Sequence, residues 1–365
     1  MATTTKNILL ISDGNPGHYN QSVAVSEMLE PLLGAQTQWL EVRQKIPGIL
    51  RRPFATFLNR FPSLDLADAL KHRFDVQTLP ESPPCLIVSS GGKTAFFNAL
   101  AARHYGCPNI FLGDQPPLAA RNFRLLVTTH ADHGCNNYLQ WDYLATRITP
   151  DEAAKQGADF RARHGYEGER LWTMLIGGNS RSHRYQTADW QRLAEAMNLL
   201  AARLNMRWLI ATSRRTGSAA EQCLKSALAP SAVAEAAWWG DAQRKVIPAY
   251  LGAAEMVVCT QDSLSMITES VACATPAYVI YPQSVLIDPV ADESYKEYLG
   301  RNTRLGRILR LPIVGLGTIE PEHDLETHFH PITRSLSEEL LDRLLPRLRE
   351  QAPELLQTVD RTQQC

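Results

Sequence analysis

No apolar run in this sequence approaches the ~18 residues of a spanning helix, so a transmembrane chain is not expected. There is no CxxC pair. The seven cysteines are odd in number and scattered (Cys85, Cys107, Cys135, Cys223, Cys259, Cys273, Cys365). That pattern excludes a disulfide framework and a structural zinc site, and it points to reduced thiols in a cytosol. Net charge is −1, so no global field draws in nucleic acid or an anionic membrane, although local patches still matter. GxGxxG is missing, and with it the dinucleotide fingerprint. The run Ser89-Ser90-Gly91-Gly92-Lys93 lacks the GxxxxGK[ST] spacing, so ATP hydrolysis is not expected. Asp262-Ser263-Leu264 is not a DxD metal motif, and no metal or other cofactor is expected. The start, MATTTKNILLIS, has no small-residue cleavage site and reads as a buried first strand rather than a signal peptide.

What is present is a β-α rhythm. With 44% hydrophobic and 21% charged residues the chain is globular, and its 365 residues are too many for one ordinary core. Apolar runs predict strands over 8–12, 38–42, 85–90, 109–113 and 125–129, with helices over 18–33 and from about 94 to 103. Residues 148–168 are polar and carry no strand signal, which places a domain junction there. The rhythm then restarts, with strands over 171–176, 207–211, 256–260 and 277–281. Helices are predicted over 187–204 (Thr187 the expected N-cap), 218–228, 248–254 and 265–273, and beyond Pro282 the pattern loosens. A last amphipathic helix spans 335–349. The expected class is α/β, with parallel sheets in two tandem domains, 1–150 and 165–330. The tail, 331–365, is expected to pack back toward the first domain.

In open parallel sheets, ligands bind beyond the carboxyl ends of the strands, so the loops there carry the functional reading. Residues 177–184, GGNSRSHR, offer Gly177, Gly178, Asn179 and Ser180 where a diphosphate can approach the backbone; a tight turn is the alternative. Arg214 and Arg215 in TSRRTG suit a phosphate, or are surface charges. In TQDSLSMITES, Ser263, Leu264 and Ser265 open a helix, and Glu269 lies one turn further in. A carboxylate there accepts from both ribose hydroxyls while the helix start holds the diphosphate; the alternative is a charge favoured by the helix dipole. In the first half, ISDGNPGHYNQS places Asp13, Gly17 and His18 at a strand end. His18 is the natural general base, or a helix-start histidine without chemistry. Asp13 reads as a turn-stabilising Asx residue and as the alternative base. Gly91, Gly92, Lys93, Asp114 and His130 either line the acceptor side or close their own loops. Residues 43–60, RQKIPGILRRPFATFLNR, hold five basic residues and no acid, interleaved with apolar ones. They read as a peripheral membrane patch or as an ordinary helix packed on the sheet.

The ordered set DGNPGHYNQS, IGGNSRSHRY, TSRRTG and CTQDSLSMITES resembles the bacterial family named after the plant mitochondrial-fission factor ELM, whose bacterial members are read as glycosyltransferases. More distantly, the set is similar to the GT-B transferase that adds N-acetylglucosamine to form lipid II. The resemblance implies a GT-B fold: two Rossmann-like domains facing a central cleft. It implies a nucleotide-sugar donor held by Gly177, Gly178 and Asn179, the 263–265 helix start and Glu269, with Gly17 and His18 facing the acceptor. The acceptor is unidentified, a cell-envelope glycan or lipid-linked sugar being in keeping. The implied reaction is metal-independent, with His18 or Asp13 as base and Arg214 and Arg215 on the leaving diphosphate. The enzyme would lie in the cytoplasm, at the inner face of the membrane if the 43–60 patch engages it. DGNPGH departs from the lipid II enzyme's glycine string, and TSRRTG has no counterpart there, so base and sugar do not carry over. The plant relative is described as an adaptor that recruits a dynamin, which keeps a non-catalytic reading open. An NAD-dependent nucleotide-sugar epimerase is a further alternative, opposed by the missing GxGxxG and TyrxxxLys.

Overall fold

The computed structural model describes residues 6–62, 70, 72–76, 78–113, 118–129, 134–283 and 292–356. They divide into two compact units, Met1–Arg147 with Leu336–Cys365, and Ile148–Ser335.

The first unit runs β1 (Lys6–Ser12), α1 (Pro16–Leu33), β2 (Ala35–Glu41), β3 (Arg43–Gln44), α2 (Gly48–Arg60), β4 (Phe74–Asp75), β5 (Leu86–Ser90), α3 (Ala95–Tyr105), β6 (Asn109–Leu112), β7 (Leu125–Thr128) and β8 (Tyr138–Gln140). Six strands form one parallel sheet in the order β2-β1-β5-β6-β7-β8, and β3 and β4 make a small antiparallel ribbon. Ile8–Ile11 and Leu86–Val88 are sealed from solvent, because helices cover both faces and every side chain of the strand meets one. The sheet grows in one direction from β1 to β2 and in the other from β5 onward. Its topological switch point is therefore the β1–β5 pair.

The second unit runs α4 (Pro150–His164), β9 (Leu171–Ile176), α5 (Thr187–Leu204), β10 (Arg207–Thr212), α6 (Ser218–Ala227), β11 (Val233–Ala237), α7 (Ile247–Ala253), β12 (Met256–Thr260), α8 (Leu264–Ala272), β13 (Ala277–Tyr281), α9 (Asp292–Arg304), β14 (Ile308–Pro312) and α10 (Pro321–Thr327). Its parallel sheet has the order β11-β10-β9-β12-β13-β14, so its switch point is the β9–β12 pair. The chain then returns: α11 (Leu336–Gln351) packs against α1, β7 and β8 of the first unit, with Leu340, Leu344 and Leu348 buried.

The structure departs from the sequence-based expectation in four places. Residues 148–168 are not a bare junction, because most of them form α4. Thr149 caps it by accepting from the Glu152 amide, Pro150 occupies the first turn, and Gly165 ends it in the left-handed region. Helix α4 crosses α7 so closely that a Cβ on Gly252 would overlap the Ala153 carbonyl, and one on Gly157 would overlap the Gly252 backbone. Helix α1 starts two residues before the expected 18, because Asn15 caps it and Pro16 suits its first position. Helix α5 is capped one residue earlier than expected: Gln186 holds the cap position, and its amide donates to the Asp189 carboxylate at 2.8 Å. The edge strands β8, β11 and β14 were not expected. They are short or half-buried and lack the continuous apolar run of a central strand.

Candidate functional site

At the switch point of the first unit, the DGNPGH stretch is half turn and half helix. Asp13 accepts the Asn15 amide through Oδ1, and Asn15 in turn accepts the Gly17 amide. The expected Asx role of Asp13 is therefore real. The same carboxylate also grips His18, whose Nδ1 lies 3.1 Å from both Oδ1 and Oδ2. The Asp13 side chain is only 4% exposed, and the imidazole is 33% exposed. Burial pulls the Asp13 carboxyl up, but the His18 hydrogen bond and charge, the Asn15 amide and the Lys93 charge outweigh it and hold the group below its ordinary value. An ionised carboxylate on Nδ1 fixes the tautomer with Nδ1–H toward Asp13, which leaves Nε2 as an acceptor.

Gly91 lies directly after β5, on the other side of the switch point, with φ +86°; a Cβ there would overlap the His18 ring. Gly91 thus forms the wall on which the imidazole rests. Gly92 faces open space, and Lys93 is exposed. Asp114 and His130 lie outside the described residues.

In the second unit the GG loop follows β9 and the QDS turn follows β12, again on the two sides of a switch point. Here the protein itself occupies the space the glycines leave. A Cβ on Gly177 would overlap the Asp262 carboxylate, and one on Gly178, at φ +128°, would overlap the Arg215 carbonyl. The Asn179 amide donates to that carbonyl, and its side chain accepts from Tyr185. Ser180 accepts from the His183 amide. Asp262, whose side chain is wholly buried, pairs with Arg215 Nη1 at 2.7 Å and accepts from the Tyr185 hydroxyl at 3.0 Å. Burial pushes the Asp262 carboxyl up, and Arg215 pulls the other way. Arg215 therefore ties three loops together, whereas its neighbour Arg214 is exposed and has no partner among the described residues.

Helix α8 opens at Ser263, whose side chain makes no bond to the first-turn amides; its hydroxyl lies 3.4 Å from that of Ser265. Leu264 and Ser265 are half-buried at this start. Glu269 lies one turn below Ser265 on the same face. Its carboxylate has no hydrogen-bond partner among the described residues, and burial pushes its pKa up to about 7. A half-buried carboxylate with no partner among the described residues, one turn beneath a helix start without a side-chain cap, is equipped to accept hydroxyl hydrogens from a ligand whose anionic group sits on the amides.

Sequence reading missed a further chain of groups here. Arg310 donates twice to the Gln261 carbonyl, the Gln261 amide donates to His183 Nε2 at 2.9 Å, and His183 Nδ1 meets Ser182. Burial, Arg215 and Arg310 lower the His183 pKa to about 4, so this ring is neutral near pH 7 but a weak base, and both its nitrogens are already engaged. The Tyr295 ring lies 5.5 Å from that of His183, and its buried hydroxyl has no partner among the described residues. Nothing in the local sequence marks these groups, because they meet across loops far apart in the chain.

Solved structures share this fold, with two parallel α/β units in one chain. One is the S. aureus MnaA–UDP complex, 11% identical over 94% of this chain and 97% of that one, with a TM-score of 0.53. Another is the UDP-GlcNAc 2-epimerase from Neisseria meningitidis bound to UDP-GlcNAc, 9% identical over 93% and 100%, with a TM-score of 0.52. The E. coli ADP-heptose LPS heptosyltransferase II aligns over 94% and 99% at 12% identity, with a TM-score of 0.43. The fold is the expected GT-B class of two Rossmann-like domains. No curated protein matches the sequence. The sequence profile of the family described as Mitochondrial fission ELM1 matches residues 16–288, well over half of the chain, and the protein belongs to that family.

Proposed function

We propose that this protein is a glycosyltransferase that moves a sugar from a nucleotide-sugar donor to an acceptor hydroxyl. The observation that carries the reading is Glu269: a carboxylate without a partner among the described residues, pushed up to about 7, one turn below the uncapped start of α8 at the switch point of the second unit. In this reading Glu269 accepts the ribose hydroxyls, the amides after Ser263 receive the diphosphate, and the exposed Arg214 adds positive charge. Family membership and the UDP and UDP-GlcNAc named in the fold neighbours support a nucleotide-sugar ligand.

The first unit would supply the base. The acceptor hydroxyl gives its proton to His18 Nε2 while its oxygen bonds to the anomeric carbon. The bond from that carbon to the diphosphate breaks, and the nucleoside diphosphate leaves with the electron pair. Asp13 steadies the imidazolium that forms. The acceptor is unidentified; a cell-envelope glycan or lipid-linked sugar is the class to test first, with the reaction in the cytoplasm, where the nucleotide sugars are.

A thermal-shift panel of UDP-, GDP-, CMP- and ADP-sugars tests the reading. One of them is expected to raise the melting temperature by roughly 5 °C at saturation, and Glu269→Ala is expected to abolish the shift. If none stabilises the protein and Glu269→Ala changes nothing, the reading fails. Conversion of the stabilising sugar nucleotide into an isomer without any acceptor would favour epimerisation instead. Binding without turnover against any envelope acceptor would favour the adaptor.

A further inference from the structure

We infer that the outer face of α2, in the first unit, is a peripheral docking surface for anionic lipid. A helix packed on a sheet ordinarily hides one apolar face and turns a polar one to water. Helix α2 has two apolar faces. Inward, Ala55 and Leu58 are buried, and Phe54 meets Phe96 at 5.5 Å. Outward, Ile49 is 84% exposed and Phe57 40% exposed, with Leu50 and Phe61 beside them. The Phe57 and Phe61 rings touch at 5.2 Å, yet both remain open to water. Ile49, Pro53 and Phe57 follow at four-residue spacing, so they form one stripe along the helix.

The charges around this stripe identify its occupant. Residues 43–61 carry five basic side chains and no acid. Arg43 and Lys45 lie 3.6 Å from Glu41 and 3.5 Å from Asp75. Arg51, Arg52 and Arg60 are exposed with no acidic partner among the described residues. A second copy of this face would oppose cation to cation. An apolar protein partner would leave the arginines without a counterpart. A sheet of acyl chains beneath anionic headgroups matches both features at once. The balanced charge of the whole molecule hides this local concentration.

The surface also adjoins the first unit's site. In the amide orientation that satisfies both neighbours, Gln44 donates to the Lys93 carbonyl at 3.1 Å and accepts from Arg51 Nε at 3.2 Å. One side chain thus joins the start of α2 to the loop that walls His18. Lipid binding here stands independently of the transferase reading.

Sedimentation of the full chain with vesicles is the test. Phosphatidylcholine vesicles containing about 30% phosphatidylglycerol are expected to pellet the protein at low salt, and progressively less as salt rises. Pure phosphatidylcholine vesicles are expected not to. The double variant Ile49→Glu/Phe57→Glu should weaken partition about tenfold or more, and Arg51→Glu/Arg52→Glu should weaken it similarly and remove the salt dependence. These side chains are exposed, so the variants should melt as the native protein does, and circular dichroism checks this. Equal partition into neutral vesicles, or unchanged partition of Ile49→Glu/Phe57→Glu, overturns the inference. So does lipid-independent dimerisation that the same variant dissolves, or equally tight binding to a soluble polyanion such as RNA.

Discussion

His18 Nδ1 stands 3.1 Å from each carboxylate oxygen of Asp13, so one buried acid grips a single nitrogen of the ring. With His18 as the proposed base, His18→Ala should lower kcat by about 10²- to 10⁴-fold with donor affinity unchanged. Asp13→Asn keeps the ring in place but no longer selects the tautomer, so it too should lower kcat while sparing donor binding. Steady-state kinetics with the donor identified by thermal shift separates the two parameters. Near-native kcat in His18→Ala would remove it as the base.

The same pair has a consequence for stability. The folded pKa of Asp13 is lowered, so its stabilisation is fully present above its unfolded pKa, about 3.9, and is lost as pH falls through the lower folded value. Urea unfolding of the native protein and of Asp13→Asn should differ by a constant amount above about pH 5 and converge below about pH 4.

Glu269 has the opposite sign. Its pKa rises from 4.5 to about 7 on folding, so the stability it contributes is present below about 4.5 and is lost as pH climbs through 7. Glu269→Gln should therefore be more stable than the native protein at pH 8, by about 3 kcal/mol, with no difference near pH 4. Ribose hydroxyls donating to the carboxylate would favour its charged form, so nucleotide binding near pH 7 should release a fraction of a proton. Calorimetry in buffers of different ionisation enthalpy detects that release, and Glu269→Gln should abolish it.

Arg215 and Arg214 are neighbours with separate fates. Arg215→Ala strands the buried Asp262 carboxylate and should cost about 3 kcal/mol in denaturant unfolding, much of which Asp262→Asn in the same chain should restore. Arg214→Ala should change stability by less than about 0.5 kcal/mol and weaken nucleotide binding instead.

Gly91 and Gly92 form a matched pair of controls. Gly91→Ala introduces a Cβ into the His18 ring at a φ of +86°, so both stability and turnover should fall. Gly92→Ala meets open space and should behave as the native protein in both assays.

The sequence made some of this legible and concealed the rest, for identifiable reasons. The central strands β1, β5, β9 and β12 are covered on both faces, so each is a continuous apolar run. The loops after those four strands are legible as strand-end loops from the apolar runs alone, and the strand order places them at the two switch points. Helix α4 escaped notice because it buries only Ala153, Gly157 and Phe160 and so shows no apolar stripe. The polar ties were not legible either. Asp262 and Gln261 sit in a short turn where either could have faced water. Their inward orientation depends on Arg215, Tyr185, His183 and Arg310, which arrive from other strands. The glycines of the GG loop were expected to make room for a ligand, and they make room first for Asp262 and the Arg215 backbone.

The return of α11 to the first unit bears on the order of assembly. The second unit is one unbroken stretch of chain and can close its sheet as it leaves the ribosome. The first unit has all six strands of its sheet earlier, yet the helix that shields its α1, β7 and β8 is synthesised only after the whole second unit. The half made first is therefore the half completed last. Until α11 arrives, the surface that will bury Leu340, Leu344 and Leu348 stands open, and a chain stalled within the second unit exposes an apolar face for chaperones to hold.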